Sequence, residues 1–301
     1  MIKSKQVWLC ILIILLGVTS FLCITHESSK FGGVSILSEG ELQKKVKNLE
    51  YIKTPSNVDE ILSFNSQKVA YDKNKNTFYV SQRTDSNDFS GVFATNYVNS
   101  SIYFETDEAF RDLKSAIEVG HEFNIWIITE QSYTICNIII TGMPVISINT
   151  ENYVSDEFVK GEIMISNPKD EEVNGLSIKV ANSMIKCNPN SETYSIKLLK
   201  KDYIEEKKLS LLGLEKKANW KLYKLSENDD TFMRALLASE VWNIINKDTI
   251  LEREYELVEI IVNKRYKGLY LLAPKWTRGY LGLEQDNELI KVDLPHLYII
   301  L

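Results

Sequence analysis

The sequence contains few of the residues that build metal centres, disulfide scaffolds and flexible linkers. Its 301 residues include three histidines, four cysteines, six prolines and 13 glycines. Three histidines leave little for a histidine-based metal site, and four cysteines cannot form a disulfide-rich scaffold. The low proline and glycine content excludes a fibrous or low-complexity chain. The formal net charge of −6 argues against general nucleic-acid binding, which relies on a basic surface.

Standard catalytic signatures are also missing. The chain has no G-x-S-x-G, G-x-G-x-x-G or G-x-x-x-x-G-K-[ST] motif. His121 and Glu122 begin a zinc-protease motif, but Ile125 stands where the second histidine would be, so we expect His121 to be a surface or turn residue. Cys136 and Cys187 could form one disulfide, and their spacing does not decide whether they do.

The N-terminus carries a long apolar run. Val7 to Ile24 spans 18 residues without a charge and follows Lys3 and Lys5. At 1.5 Å per residue, about 18 residues nearly cross a hydrocarbon core of roughly 30 Å, and the lysines would stay on the cytoplasmic side. We therefore expect residues 1–24 to form a transmembrane anchor, with the bulk of the chain extracytoplasmic. A cleaved signal peptide, after which the protein would be secreted, is the alternative.

Two segments of different composition follow. Residues 25–56 combine a flexible Ser- and Gly-containing stretch with a charged helical pattern, and we expect a stalk. Residues 57–150 contain short runs of Val, Ile, Tyr and Phe separated by turn residues, which predicts a small β-rich, sandwich-like module. Its clearest hairpin joins Phe123 to Thr129 with Tyr133 to Ile140.

Residues 151–301 mix strands with one helix. Thr193 to Leu199 is a strand, and Tyr255 to Val262 begins a hairpin that returns at Lys267 to Leu272. Asp230 to Ile245 places apolar residues on one helical face. This mixture predicts an α+β domain and an α+β fold class for the protein.

Basic and acidic residues are concentrated in different segments of residues 151–301. Between Lys179 and Lys224 there are eleven lysines and five acidic residues, whereas residues 225–260 carry nine acidic and three basic residues. A basic segment beside strands can hold an anionic ligand such as a phosphate. The alternative is a set of solvated charges that pair across the surface.

Five short motifs occur in a definite order in this half. They are Tyr194-Ser195-Ile196-Lys197-Leu198, Leu211-Leu212-Gly213-Leu214, Trp220-Lys221-Leu222, Asp230-Thr231-Phe232-Met233-Arg234 and the run from Val262 to Leu272. Their order and spacing resemble those of the spore-coat CotH kinase family. Thr141 to Ile148 also resembles the segment that leads into this domain in secreted members. The resemblance covers about residues 141–283 and implies a domain similar to a kinase N-lobe.

The resemblance implies an atypical secreted protein kinase that binds ATP with Mg²⁺ or Mn²⁺ and phosphorylates surface or coat proteins. Such chemistry needs a cation on the phosphates and carboxylates that hold the metal. Lys197, inside a strand, fits the cation; the alternative is an ordinary exposed strand lysine. Arg234 could contact a phosphate or pair with Asp230 one turn earlier on the helix. Lys197 and Arg234 are therefore the candidate cofactor-binding residues.

Three departures from the family pattern bear on activity. Val180-Ala181-Asn182-Ser183 stands where the family has R-G-N-S, and Ala273-Pro274-Lys275 stands where a glutamate is common. Asp286 and Asp293 are not in the context of the family's metal-binding and catalytic aspartates, which lie further downstream. Without those carboxylates nothing would hold a metal at the transferred phosphate, so residues 151–301 are expected to be an incomplete CotH-like domain.

The expected function is that of an extracytoplasmic, membrane-anchored CotH-like protein, a degenerate or truncated kinase homologue that binds at the surface or envelope and needs no cofactor. One alternative is an active kinase that uses ATP and a divalent metal at Lys197, Asp286 and Asp293. The other is a non-enzymatic adhesin or wall-binding module that binds through residues 57–150. The expected partners are the membrane, through residues 7–24, and a surface or coat protein; nucleic acid is not expected.

Overall fold

The computed structural model describes most of the chain from residue 30 onward. The described ranges are 30–53, 61–82, 91–111, 113–117, 121–166, 177–201, 203–225, 234–245, 255–275, 291–294 and 297–300. The predicted anchor, Asp230 and Asp286 all lie outside these ranges.

The described residues form mainly strands. Strands β1 to β11 are, in chain order, Lys30–Phe31, Val34–Leu37, Glu50–Tyr51, Leu62–Phe64, Gln67–Lys68, Ala70–Asp72, Thr77–Ser81, Phe93–Thr95, Ser101–Glu105, Phe123–Ile128 and Ser132–Thr141. Strands β12 to β20 are Val145–Thr150, Val159–Ser166, Ser177–Asn188, Thr193–Leu198, Asn219–Lys224, Glu256–Val262, Arg265–Pro274, Lys291–Leu294 and Leu297–Ile300. The α-helices α1 to α3 are Glu39–Val46, Leu113–Ala116 and Arg234–Ile245, and a 3-10 helix covers Glu108–Arg111.

The N-terminal part contains two sheets that share one core. The larger sheet has the strand order β1-β2-β9-β10-β11-β7-β6, with β3 also paired to β11, and the smaller sheet has the order β5-β4-β8. The pairings β2–β9, β3–β11 and β7–β11 are parallel. Aromatic side chains from both sheets fill the core, among them Phe31, Phe64, Phe78, Phe93, Phe104 and Phe123.

Residues 30–53 are part of this folded unit, where a stalk was expected. Strand β2 extends the larger sheet, and α1 begins with a capping box in which Ser38 and Glu41 satisfy each other's backbone amides. Leu42 and Val46 of α1 pack on Trp126 of β10, on the face opposite the aromatic core. Because α1 covers that face, β10 is buried on both sides and reads as a nearly continuous apolar run.

The C-terminal part is a closed barrel, which corrects the predicted fold class. Seven strands pair in the order β12-β13-β14-β15-β16-β18-β17, and the parallel pair β12–β17 closes the ring. Inward-facing residues of every strand form the barrel core, including Ile148, Ile163, Ile185, Ile196, Trp220, Val258 and Tyr270. The prediction of an α+β domain was wrong because the strands between residues 145 and 274 close on themselves, so helix α3 is not one layer of a two-layer core.

Helix α3 confirms the predicted helix over Arg234–Ile245. Of the apolar residues predicted on one face of this helix, Val241, Ile244 and Ile245 are exposed, Ile245 to 75%.

No helix among the described residues is long and apolar enough to cross a membrane. The predicted transmembrane or signal-anchor helix is therefore not supported, and Val7 to Ile24, on which that prediction depends, lies outside the described residues.

Candidate functional site

Lys197 lies on the outer face of the barrel. It belongs to β15, where Tyr194, Ile196 and Leu198 belong to the barrel core, and neighbouring residues of a strand point to opposite faces. Its Nζ is 3.2 Å from Oε1 of Glu206, and both side chains are partly exposed, at 37% and 44%. The hydrogen bond from Lys197 lowers the pKa of Glu206, against a smaller opposing effect of burial. Lys197, which was predicted to contact a phosphate, is thus already paired with the carboxylate of Glu206.

The other residues predicted for nucleotide binding that the structure describes, Arg234 and Asp293, belong to different elements from Lys197. Arg234 is the first residue of α3 and is exposed. Asp286 lies outside the described residues, and Asp293 belongs to the hairpin β19–β20, separate from the barrel sheet. Among the described residues, histidine, cysteine and carboxylate side chains form no group of three or more that could hold a metal ion.

Lys197 is one of four lysines arranged in two rows across β13 to β16. In one row Lys160, Met184, Lys197 and Asn219 are successive cross-strand partners, and in the other row Lys186, Ser195 and Lys221 are. All seven residues alternate with residues that face the barrel interior, so the rows share the outer face. Neighbouring strands are about 4.8 Å apart, which sets the backbone positions of Lys186 and Lys221 about 10 Å apart. We call this surface the lysine face: Lys160, Lys186, Lys197 and Lys221.

Two aromatic rings are part of the lysine face. The Nζ of Lys186 lies 5.0 Å from the ring centroid of Phe158, and the Nζ of Lys160 lies 5.0 Å from that of Tyr203. These are cation–π distances. Phe158 is 40% exposed, so its ring remains accessible beside the amino group.

The interior of the barrel is packed with side chains. Trp220, Leu222 and Tyr270 are fully buried, and the hydroxyl of Tyr270 has no hydrogen-bond partner among the described residues. At one end, Lys224 pairs with Glu192. Burial raises the pKa of Tyr194 and of the nearby Cys187 thiol, so that thiol stays protonated and weakly nucleophilic.

Both described cysteines are free. Cys136 is buried in the aromatic core of the N-terminal part, where burial raises its pKa to about 11, and Cys187 belongs to the barrel. The disulfide that the sequence left open is therefore not formed in the structure.

A second unusual group lies where the larger sheet meets the barrel. Glu259 of β17 faces outward from the barrel, is 8% exposed and is hydrogen-bonded to Tyr266, whose ring stacks on that of Tyr79 (centroids 4.7 Å apart, planes at 4°). Burial raises the pKa of Glu259 to about 7, although hydrogen bonds from Thr141 and Tyr266 oppose the shift. Its Oε2 has no hydrogen-bond partner among the described residues.

This sheet–barrel junction holds the two parts together. Tyr79, Val145 and Ile261 form its small apolar core. Around it, the backbone amide of Lys73 donates to the carbonyl of Lys264 at 2.8 Å, and the hydroxyl of Ser81 donates to the carbonyl of Met143 at 2.7 Å. A neighbouring crevice lined by residues such as Tyr79 and Val145 has room for about one water molecule.

His121 takes a local structural role. Its Nε2 is 3.1 Å from Oδ2 of Asp107, and the other oxygen of Asp107 accepts a hydrogen bond from the backbone amide of Ala109 at the start of the 3-10 helix. The ring of His121 also packs beside Phe123. These contacts explain the histidine without a metal or a substrate.

Comparison of the chain with models of known protein families, with curated proteins and with solved structures finds no match.

Proposed function

We propose that the protein is a non-enzymatic binding protein of the cell surface or envelope, built on a degenerate CotH-like domain. The single observation that carries this proposal is the position of Lys197. Its amino group lies on the solvent side of a filled barrel, paired with Glu206, and not in an enclosed cleft. Phosphoryl transfer needs a desolvated site in which cations and a metal surround the transferred group.

The distribution of the CotH-like motifs supports the same proposal. The Lys197 strand, the Trp220 strand and the strand ending in Leu272 are β15, β16 and β18, which pair in this order. The upstream Thr141 to Ile148 segment supplies β12, which closes the barrel against β17. Four of the segments that resemble the family therefore contribute strands to one structural unit, the barrel.

The phosphoryl-transfer assay tests the enzymatic side of the proposal. We expect the full-length chain to incorporate no label from γ-labelled ATP with Mg²⁺ or Mn²⁺, either into itself or into surface proteins of the source organism. Lys264→Ala, in the turn after β17, serves as the matched lysine control for Lys197→Ala. Labelling that survives Lys264→Ala and is lost in Lys197→Ala would overturn the proposal.

Co-sedimentation with isolated cell envelopes of the source organism tests the binding side. We expect the full-length chain to sediment with the envelopes and to be released as the salt concentration rises, because salt screens exposed charges. A chain that remains in the supernatant at low salt contradicts a role in envelope binding.

A further inference from the structure

We propose that the lysine face binds an anionic polysaccharide, a sugar polymer that carries repeated carboxylate or phosphodiester groups. This inference rests on the proposed binding function and names its ligand class and its surface. It follows from three features of the face: its charge, its lysine-only composition and its aromatic rings.

The charge of the lysine face is opposite to that of the whole protein. The segment from Lys179 to Lys224, which supplies Lys186, Lys197 and Lys221, has eleven lysines and five acidic residues, whereas the protein has a net charge of −6. In each row a neutral residue, Met184 or Ser195, stands between the lysines, so the ammonium groups are spread over the face. A polyanion laid across β13 to β16 can contact several of them at once, and a positive patch attracts it from solution.

The lysine face is made of lysines and not of arginines, whose guanidinium group recognises single phosphates or carboxylates more specifically. No arginine occurs between Lys179 and Lys224, so no rigid guanidinium fork is available there for a bidentate contact. Lysine ammonium groups are point charges on flexible stems. They suit a ligand whose acidic groups repeat along a polymer and need no fixed geometry at any one position.

The aromatic rings favour a sugar polymer over a bare polyanion. Phe158 and Tyr203 each lie beside a lysine of the face, so an apolar ring and an ammonium group are presented together. An aromatic ring packs against the C–H face of a sugar ring while the neighbouring lysine pairs with the acidic substituent. Nucleic-acid bases could also stack on such rings, so single-stranded DNA is compared directly in the test below.

Binding to defined polymers tests the inference with the full-length chain. The probes are fluorescently labelled polygalacturonate for carboxylates and poly(ribitol phosphate) for phosphodiesters. Neutral dextran, inorganic polyphosphate and single-stranded DNA are the comparison polymers. We expect salt-sensitive binding to one or both acidic sugar polymers and none to dextran.

Two charge variants locate the site. A lysine facing an anionic surface contributes severalfold to affinity, so Lys186→Gln combined with Lys221→Gln should weaken binding by about tenfold or more. The control, Lys44→Gln with Lys47→Gln on and beside α1, makes the same charge change far along the chain and should leave affinity within about twofold. Glu206→Gln releases Lys197 from its partner and should strengthen binding severalfold, a gain that misfolding cannot imitate.

One aromatic variant identifies the polymer class. Phe158→Ala should weaken binding of the acidic sugar polymer and leave binding of polyphosphate, if any, unchanged. The assignment to the lysine face is overturned if the Lys186/Lys221 variant and the Lys44/Lys47 control weaken polymer binding equally. It is also overturned if Glu206→Gln does not strengthen binding. Tighter binding of DNA or polyphosphate than of both sugar polymers overturns the ligand class.

These results remain distinguishable from failure of the proposed function. If the chain sediments with envelopes and transfers no phosphate but ignores both acidic sugar polymers, only the ligand assignment fails. If it labels substrates in a manner that depends on Lys197, the binding function itself fails.

Discussion

Replacement of Trp220 by alanine is expected to destabilise the barrel by about 3–5 kcal/mol, a large part of the stability of an ordinary domain. Trp220 is fully buried in the barrel core, where it lies opposite Ile196 on one side and Pro274 on the other. Its indole Nε1 donates a hydrogen bond to the carbonyl of Lys217 at 3.1 Å. The substitution removes this contact and leaves a cavity that the closed ring of strands cannot collapse to fill.

Urea denaturation followed by tryptophan fluorescence and circular dichroism measures this effect. Lys221→Ala is the matched control, because it lies on the same strand and faces the opposite side; we expect a loss of less than about 1 kcal/mol. Equal losses for the two variants would contradict the alternation of β16 and with it the closed barrel.

Replacement of Glu259 by glutamine is expected to stabilise the protein at pH 8 and to change little at pH 4.5. The folded state raises the pKa of Glu259 from 4.5 to about 7 because the carboxyl is buried at the sheet–barrel junction. Between these two pH values the folded protein holds a proton that the unfolded chain has lost. Stability therefore falls as the pH rises from about 4.5 to about 7 and stays low above it, a loss of about 3 kcal/mol.

The surroundings of Glu259 offer little compensation for its charge. Asp72 and Glu122 lie near enough to Tyr79 to raise its pKa further, as does Glu259 itself. The Nζ of Lys75 is 5.7 Å from the centre of the Tyr266 ring, on the exposed side of the junction. Glutamine keeps an oxygen that can accept from Thr141 and Tyr266 and carries no charge at any pH.

The measurement is the free energy of unfolding in urea at pH 4.5 and pH 8 for both proteins. Glu256→Gln, on the same strand but only half-buried, is the matched control for the loss of one carboxylate. A pH dependence that is the same in Glu259→Gln as in the unaltered protein would show that Glu259 is not buried in the junction.

Local patterns predicted the individual strands well. The hairpin expected at 123–129 and 133–140 is β10 and β11, at 123–128 and 132–141, because runs of β-branched and aromatic residues around a polar turn fit little else. The hairpin of β17 and β18 was confirmed for the same reason. The sequence did not predict which strands pair with each other. The barrel closes through the pairing of Val145 with Glu259, 114 residues later, and such a contact has no local signature.

Burial was harder to predict than secondary structure. The charged sequence of α1 suggested a solvated stalk, yet two apolar residues one turn apart, Leu42 and Val46, suffice to dock it on Trp126. The apolar pattern of α3 did not tell that Val241, Ile244 and Ile245 are exposed. For α1 the decisive partner is remote in sequence, so periodicity alone carries no information about it.

The candidate site was only partly visible in the sequence. Lys197 and the excess of lysines were evident from the sequence. The sequence did not show that Lys160 and Lys186 lie beside Lys197 on neighbouring strands, because this depends on the pairing register of β13, β14 and β15. Glu206 was missed because it reaches Lys197 across a loop. Glu259 had one signal, a single acid among Val258, Ile260 and Ile261, which is typical of a strand whose second face is covered.

Footprinting of lysines by acetylation and mass spectrometry tests the central claim most directly. The full-length chain is labelled alone, with isolated cell envelopes, and with ATP and Mn²⁺. The account predicts that envelopes protect Lys160, Lys186, Lys197 and Lys221, that Lys44 and Lys47 stay reactive, and that ATP with Mn²⁺ changes none of them. The opposite result is that ATP with Mn²⁺ protects Lys197 while envelopes leave Lys160, Lys186 and Lys221 reactive. That result would contradict the proposed binding surface and point to a nucleotide site.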